Sequence, residues 1–106
     1  MPARYTAYAI GDVDFLIQTT HPRGPQWESD RDAWRAELID YCRAVDFRGL
    51  EILEVEMDEA AEADGRAHVT FRATLERGGH TVAFTERSLF LREDGVWLYY
   101  SGEELE

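Results

Sequence analysis

Lysine is absent. All 11 basic residues are arginine, against 22 aspartates and glutamates, for a formal net charge of −11. That balance repels a phosphate backbone at long range, so no nucleic-acid partner is expected. A GC-rich genome or adaptation to high salt would each account for the missing lysine, and it points to no partner. Cysteine is almost absent too: Cys42 stands alone, which excludes an intrachain disulfide and a cysteine metal cluster. Three scattered histidines add no metal spacing, so neither a metal nor a cofactor is expected. No apolar run approaches the roughly 18 residues of a membrane span, and no charged-then-apolar signal pattern opens the chain. The expectation is a cytoplasmic protein with no membrane partner. At 106 residues there is room for one core, hence a single domain over residues 1–106, of a size that a partner subunit would help.

What is present is a change of period. The first 45 residues read as three helices. Pro2 suits a first helical turn, and the segment Ala3–Ile10 forms two turns ended by Gly11. Asp12 caps a second short helix that stops at His21-Pro22. Ser29 precedes a third, in which Trp34, Leu38, Tyr41, Cys42 and Val45 make one apolar stripe and acidic residues fill the first turn. From Phe47 onward the apolar period is two, with a phase slip at Ile52-Leu53 that predicts a bulge. Glu59 to Gly65 reads as a polar turn. Gly78-Gly79 and Asp94-Gly95 are two-residue hairpin turns. Helices followed by a four-stranded antiparallel meander make an α+β domain with the helices on one face of a curved sheet.

The turns fix a register. Centring the Gly78-Gly79 hairpin sets Phe71 opposite Glu86, Val69 opposite Ser88, Ala73 opposite Phe84 and Leu75 opposite Val82. Centring the next on Asp94-Gly95 sets Phe90 opposite Tyr99, Arg92 opposite Trp97 and Ser88 opposite Ser101. Glu86 and Ser88 therefore stand within an apolar face made of Val69, Phe71, Ala73, Phe84, Phe90, Trp97 and Tyr99. A carboxylate and a hydroxyl there must be paired, hydrated or functional, because bare burial costs several kcal/mol. The opposite face mixes His68, Thr70, Arg72 and Arg87 with Leu89, Leu91, Leu98 and Tyr100. That mixture suits a homodimer contact through the sheet.

Several short motifs run in order through nearly the whole length. They are Arg4-Tyr5-x-Ala7-Tyr8, Asp12-x-Asp14-Phe15-Leu16, Thr19-x-His21-Pro22, Gly49-Leu50, Val69-x-Phe71-x-Ala73, Glu86-Arg87-Ser88-x-Phe90 and Trp97-x-Tyr99-x-x-Gly102. In these the chain resembles the YchJ family, in its middle domain of the nuclear transport factor 2-like (cystatin-like) superfamily. The resemblance implies a cone of three N-terminal helices on a curved four-stranded sheet, with a cavity between them. Family members commonly carry cysteine-rich zinc modules like the SecA C-terminal motif, and this chain has neither. Zinc, and any nucleic-acid or ribosome role drawn from those modules, is therefore not carried over. Ser101 stands where the family often has Asp, which removes one expected pocket carboxylate.

The candidate chemistry then gathers at one place. Glu86 is the candidate general acid or base, since a carboxyl among aromatic rings is poorly solvated when charged. The competing reading, which the resemblance suggests, is a structural ion pair between Arg4 and Glu86 that ties helix to sheet. His21, near the expected mouth of the cone, is a second catalytic candidate that would shuttle protons with Glu86; a helix-capping role competes. Tyr5, Ser88 and Tyr99 would polarise a ligand carbonyl or satisfy Glu86. No G-x-S-x-G elbow supports a serine nucleophile. The first functional reading is a binding domain for a small molecule or peptide, its pocket lined by Tyr5, Phe71, Phe84, Glu86, Ser88, Phe90, Trp97 and Tyr99. An acid–base enzyme of isomerase or dehydratase type, using Glu86 and His21, is the alternative. A protein–protein interaction module is the third. The fold hosts all three, so whether the protein is an enzyme stays open.

Overall fold

The structure, a computed structural model, describes residues 2–58 and 65–105. In chain order the elements are α1 (Pro2–Ile10), α2 (Val13–Gln18), α3 (Arg31–Ala44), β1 (Asp46–Asp58), β2 (Arg66–Arg77), β3 (His80–Glu93) and β4 (Val96–Leu105). The polar turn expected over Glu59 to Gly65 lies, except for Gly65, outside the described residues. No helix among the described residues is long and apolar enough to cross a membrane.

The helix ends follow from local hydrogen bonding. Gly11, at φ +78°, ends α1 while the Asp12 amide bonds the Ala7 carbonyl, closing the last turn. Asp12 then caps α2 by accepting from the Phe15 amide at 3.2 Å. The short α2 ends at Gln18, and its last carbonyls are satisfied by side chains. Thr19 Oγ1 donates to the Phe15 carbonyl and Thr20 Oγ1 to the Leu16 carbonyl, each at 2.7 Å. Asp30 rather than Ser29 caps α3, accepting from the Ala33 amide at 3.1 Å.

The four strands form one antiparallel meander in the order β1-β2-β3-β4. Two consecutive left-handed residues make each tight turn, Gly78 and Gly79 at φ +58° and +83°, Asp94 and Gly95 at +52° and +80°. Between β2 and β3 the pairs are Val69 with Ser88, Phe71 with Glu86, Ala73 with Phe84 and Leu75 with Val82, as the turn geometry predicts. Three residues interrupt the ladders. Leu53 is the bulge signalled by the phase slip, and Arg48 is a second on β1 with no such signal. The third, Tyr100, corrects the register expected for β4: beyond it Leu89 meets Ser101, and Ser88 meets Gly102 instead of Ser101.

The extra residue has a physical reason. The Tyr100 ring lies edge-on to His21, with centroids 5.2 Å apart, and Gly24 passes so close to the Tyr100 carbonyl that no Cβ fits there. The segment after α2 thereby seals the free edge of β4: the Tyr99 amide bonds the Thr19 carbonyl at 2.7 Å, and the His21 amide bonds the Tyr99 carbonyl at 2.8 Å.

The core lies on the helix-facing side of the sheet, around Val45, Ala67, Val69, Phe71, Ala73, Leu75, Phe90 and Tyr99. Of the stripe expected on α3, Trp34 and Val45 are buried, Leu38 and Cys42 half-buried, and Tyr41 exposed. The helix packs mainly on α1 and α2 instead of lying down on the sheet. The gap left beneath it is the cavity described next.

Candidate functional site

Between the helices and the sheet lies a cavity of about 290 Å³. Arg4, Tyr5 and Tyr8 of α1 roof it, Leu38 and Tyr41 of α3 and Gln26 stand at its side, and Phe47, Phe71, Ala73, Leu75, Phe84, Glu86 and Tyr99 line the sheet. The rings of Tyr5, Tyr8 and Tyr41 each lie 5.6 to 6.2 Å from that of Phe47, so one ring anchors three.

Glu86 is the carboxylate in this wall. Its Oε2 accepts from the Ser88 hydroxyl at 2.6 Å and from the Tyr99 hydroxyl at 3.1 Å. Among the described residues no hydrogen bond reaches Oε1. Ser88 has no exposed surface, so it supports Glu86 from behind and is not itself part of the cavity wall. Burial raises the Tyr99 phenol far above its ordinary pKa, and the neighbouring Glu86 charge raises it further. Tyr99 thus remains a neutral donor to Glu86. Beneath the cluster sits Gly102, where a Cβ would collide with the Glu86 carboxylate and the Tyr99 hydroxyl. The W-x-Y-x-x-G spacing acquires its meaning here: the tyrosine supplies the donor, and the glycine supplies the space for what the donor holds.

Arg4 does not form the expected direct pair with Glu86, and no salt bridge joins them within 4.0 Å. Its Nη1 instead donates to the Leu16 carbonyl at 3.2 Å and to the Thr19 hydroxyl at 2.6 Å, while the guanidinium lies 4.6 Å from the centre of the Tyr99 ring. The connection to Glu86 therefore passes through Tyr99, whose ring carries the cation and whose hydroxyl serves the anion. Burial lowers the Arg4 pKa, opposed by Tyr8, Tyr99 and Glu86. Arg4 also divides the concave face. On its other side lies a second cavity of about 280 Å³, lined by Phe15, Val55, Met57, Val69, Phe90 and Trp97 among others. Phe90 and Trp97, expected in the same pocket as Glu86, belong to that second compartment.

His21 lies elsewhere. It is fully buried against β4, with its Nε2 hydrogen-bonded to Glu93 and its Nδ1 accepting from the Arg23 amide at 3.0 Å. Both ring nitrogens are thus occupied, and the residue is absent from the cavity that holds Glu86. Arg23 adds a 3.1 Å bond to the same Glu93 oxygen. A separate open cavity of about 440 Å³ begins beyond Glu93, among Arg23, Arg66, Arg92 and Asp94. Ser101 is paired with Leu89 and faces away from Glu86, so an Asp at this position would not add a pocket carboxylate. Among the described residues no three His, Cys, Asp or Glu side chains gather as metal ligands would.

Reading the sheet alone missed the helical half of the wall, Tyr8, Leu38 and Tyr41. The signal was present: Tyr5 and Tyr8 lie three residues apart, as do Leu38 and Tyr41, so each pair shares a helix face. Phe47 was legible as a strand residue, and its place among these rings required the tertiary arrangement.

The profile of the family described as "YchJ, middle NTF2-like domain" matches residues 1–102. The chain belongs to this family. The chain is also similar to the UPF0225 protein YchJ of Shigella dysenteriae serotype 1 (strain Sd197), with 38% identity over 102 residues, 96% of this chain. It spans 62% of the length of that YchJ protein. Among solved structures, it resembles the solution structure of RPA3114, a SEC-C motif containing protein from Rhodopseudomonas palustris. The TM-score is 0.74 at 30% identity, covering 97% of this chain and 73% of that one. A YchJ middle domain is thus an α+β, NTF2-like unit, and the Glu86 cavity lies between its helices and its sheet.

Proposed function

We propose that this YchJ-type domain binds a small organic molecule in the cavity between helices and sheet, with Glu86 as the polar anchor. The observation that carries the reading is the half-served carboxylate. One oxygen is fixed by Ser88 and Tyr99, the other has no protein donor among the described residues, and aromatic rings surround both. A half-buried carboxylate held in place by one oxygen, with the other open to the cavity, is what a ligand donor completes. The acid–base alternative must run on Glu86 without His21, whose ring nitrogens are both engaged at the far edge of the sheet. An open cavity argues against the reading as a pure interaction module, which would fill this space with its own side chains.

The test is a fragment screen by ligand-observed NMR, followed by mapping on assigned amide resonances. Hits are expected to move the signals of Phe71, Phe84, Glu86 and Tyr99. Gly102→Ala, which deletes no polar group but drives the carboxylate from its seat, is expected to weaken them about tenfold. A screen whose hits avoid the cavity, or ignore Gly102→Ala, would count against the reading.

The same proposal keeps the homodimer expected through the outer face of the sheet, where Leu89, Leu91 and Leu98 stand half-buried. Light scattering is then expected to give twice the 12.2 kDa chain mass. Leu91→Arg should halve it, and a wild-type protein that runs as a monomer at high micromolar concentration would dismiss the dimer.

A further inference from the structure

The two charged residues of the cavity wall, buried Arg4 and half-buried Glu86, are unequally served. Arg4 donates through Nη1 to the Leu16 carbonyl and the Thr19 hydroxyl and lies on the Tyr99 ring. Glu86 receives both its bonds on Oε2 and, among the described residues, none on Oε1. A carboxylate oxygen accepts about two hydrogen bonds, so the capacity left at Glu86 is for donors.

The walls favour the same sign. Seven of the lining residues are aromatic: Tyr5, Tyr8, Tyr41, Phe47, Phe71, Phe84 and Tyr99. Ring faces attract cations and repel anions through the ring quadrupole. Burial raises the pKa of Tyr8, Tyr41 and Tyr99, so these phenols offer faces and hydroxyls, never negative charge. An anionic ligand would meet the Glu86 charge and those rings, with Arg4 as the one attractive group. A cationic ligand meets one repulsive neighbour, Arg4, and has the net charge of −11 drawing it in from solution. The volume, about 290 Å³, lies at the low end of ligand pockets, which run from roughly 300 to 1,000 Å³, and fits one ring on a short chain.

Resting on the binding reading above, we infer that the ligand is a small organic ammonium ion on an aromatic or branched apolar body. Its N–H groups bond Glu86 Oε1, and its body lies among the rings around Phe47.

Three probes of one shape and different charge test this: phenethylammonium, phenethyl alcohol and phenylacetate, each titrated into the protein and followed by two-dimensional amide NMR. The ammonium ion is expected to bind at the cavity at least about tenfold more tightly than the alcohol, with phenylacetate weakest. Glu86→Gln should remove most of the preference for ammonium over alcohol. Tyr41→Leu, at the rim where the residue is 37% exposed, should weaken the ammonium ion several-fold through the lost ring. Equal binding of all three, or a preference for phenylacetate, overturns the cation assignment and leaves the binding reading standing. No binding by any probe also overturns it. That result reaches the binding reading only if the broader fragment set leaves the cavity unperturbed as well.

Discussion

Arg4→Ala is expected to lower unfolding free energy by about 2–4 kcal/mol, a combination of lost charge-assisted hydrogen bonds and an unfilled space. The residue is 5% exposed although charged, and its position explains the tolerance. It caps the last turn of α2 through Leu16 and Thr19, so this one side chain ties the start of α1 to the end of α2. It also covers the Tyr99 ring, the residue that holds Glu86. Removing it withdraws a positive charge from the cavity wall that holds the half-buried carboxylate and opens the wall between the two compartments. Arg4→Met retains most of the stem and should lose about half as much, because the hydrogen bonds go while the packing stays. Urea denaturation of the three proteins separates the contributions. A change within about 0.5 kcal/mol for Arg4→Ala would mean that its desolvation cancels its bonds, leaving no structural reason for a buried arginine there.

His21→Ala should destabilise by a similar amount, about 3 kcal/mol, and in a pH-dependent way. The ring is fully buried, packed on Tyr100 and bonded through both nitrogens. Its bond to Glu93 is the first cause holding that carboxyl below the ordinary glutamate value of 4.5. A carboxyl whose folded pKa is depressed contributes stability that is complete above the unfolded value and lost as pH falls through the folded one. The part of the difference between wild type and His21→Ala that comes from the Glu93 bond is therefore expected to be complete above about pH 5 and to be lost below it. Glu93→Gln should show the narrowed difference at every pH. Denaturation midpoints between pH 3 and 8 give the answer. A gap of the same size throughout would assign the whole effect to packing and none to the Glu93 bond.

The sequence made the sheet legible because two-residue turns leave little freedom. Once Gly78-Gly79 and Asp94-Gly95 are centred, alternation decides which side chains share a face, and Phe71 through Glu86 follow. The prediction broke down at one residue, Tyr100, since a bulge is invisible to alternation when the residues around it are Tyr-Tyr-Ser-Gly. That one interruption moved Ser101 off the inner face and placed Gly102 there. His21 was misplaced for a different reason. Its neighbour in space, Glu93, is 72 residues away, and only the tight closure of the β3–β4 turn brings that carboxylate over the β4 edge. The expected Arg4–Glu86 ion pair is not formed, because the sequence does not tell a direct pair from a cation resting on an intervening ring. The aromatic half of the cavity needed α3 to stand away from the sheet, a tertiary outcome that no helical stripe encodes.

The glycine beneath Glu86 bears on how this cavity can change. Its floor is already main chain, so no substitution at that point makes the well deeper, and every other amino acid makes it shallower. Substitutions that reshape this cavity therefore act sideways, through Phe71, Phe84 and the rings of α1 and α3, while main chain at Gly102 sets the depth at which the carboxylate sits.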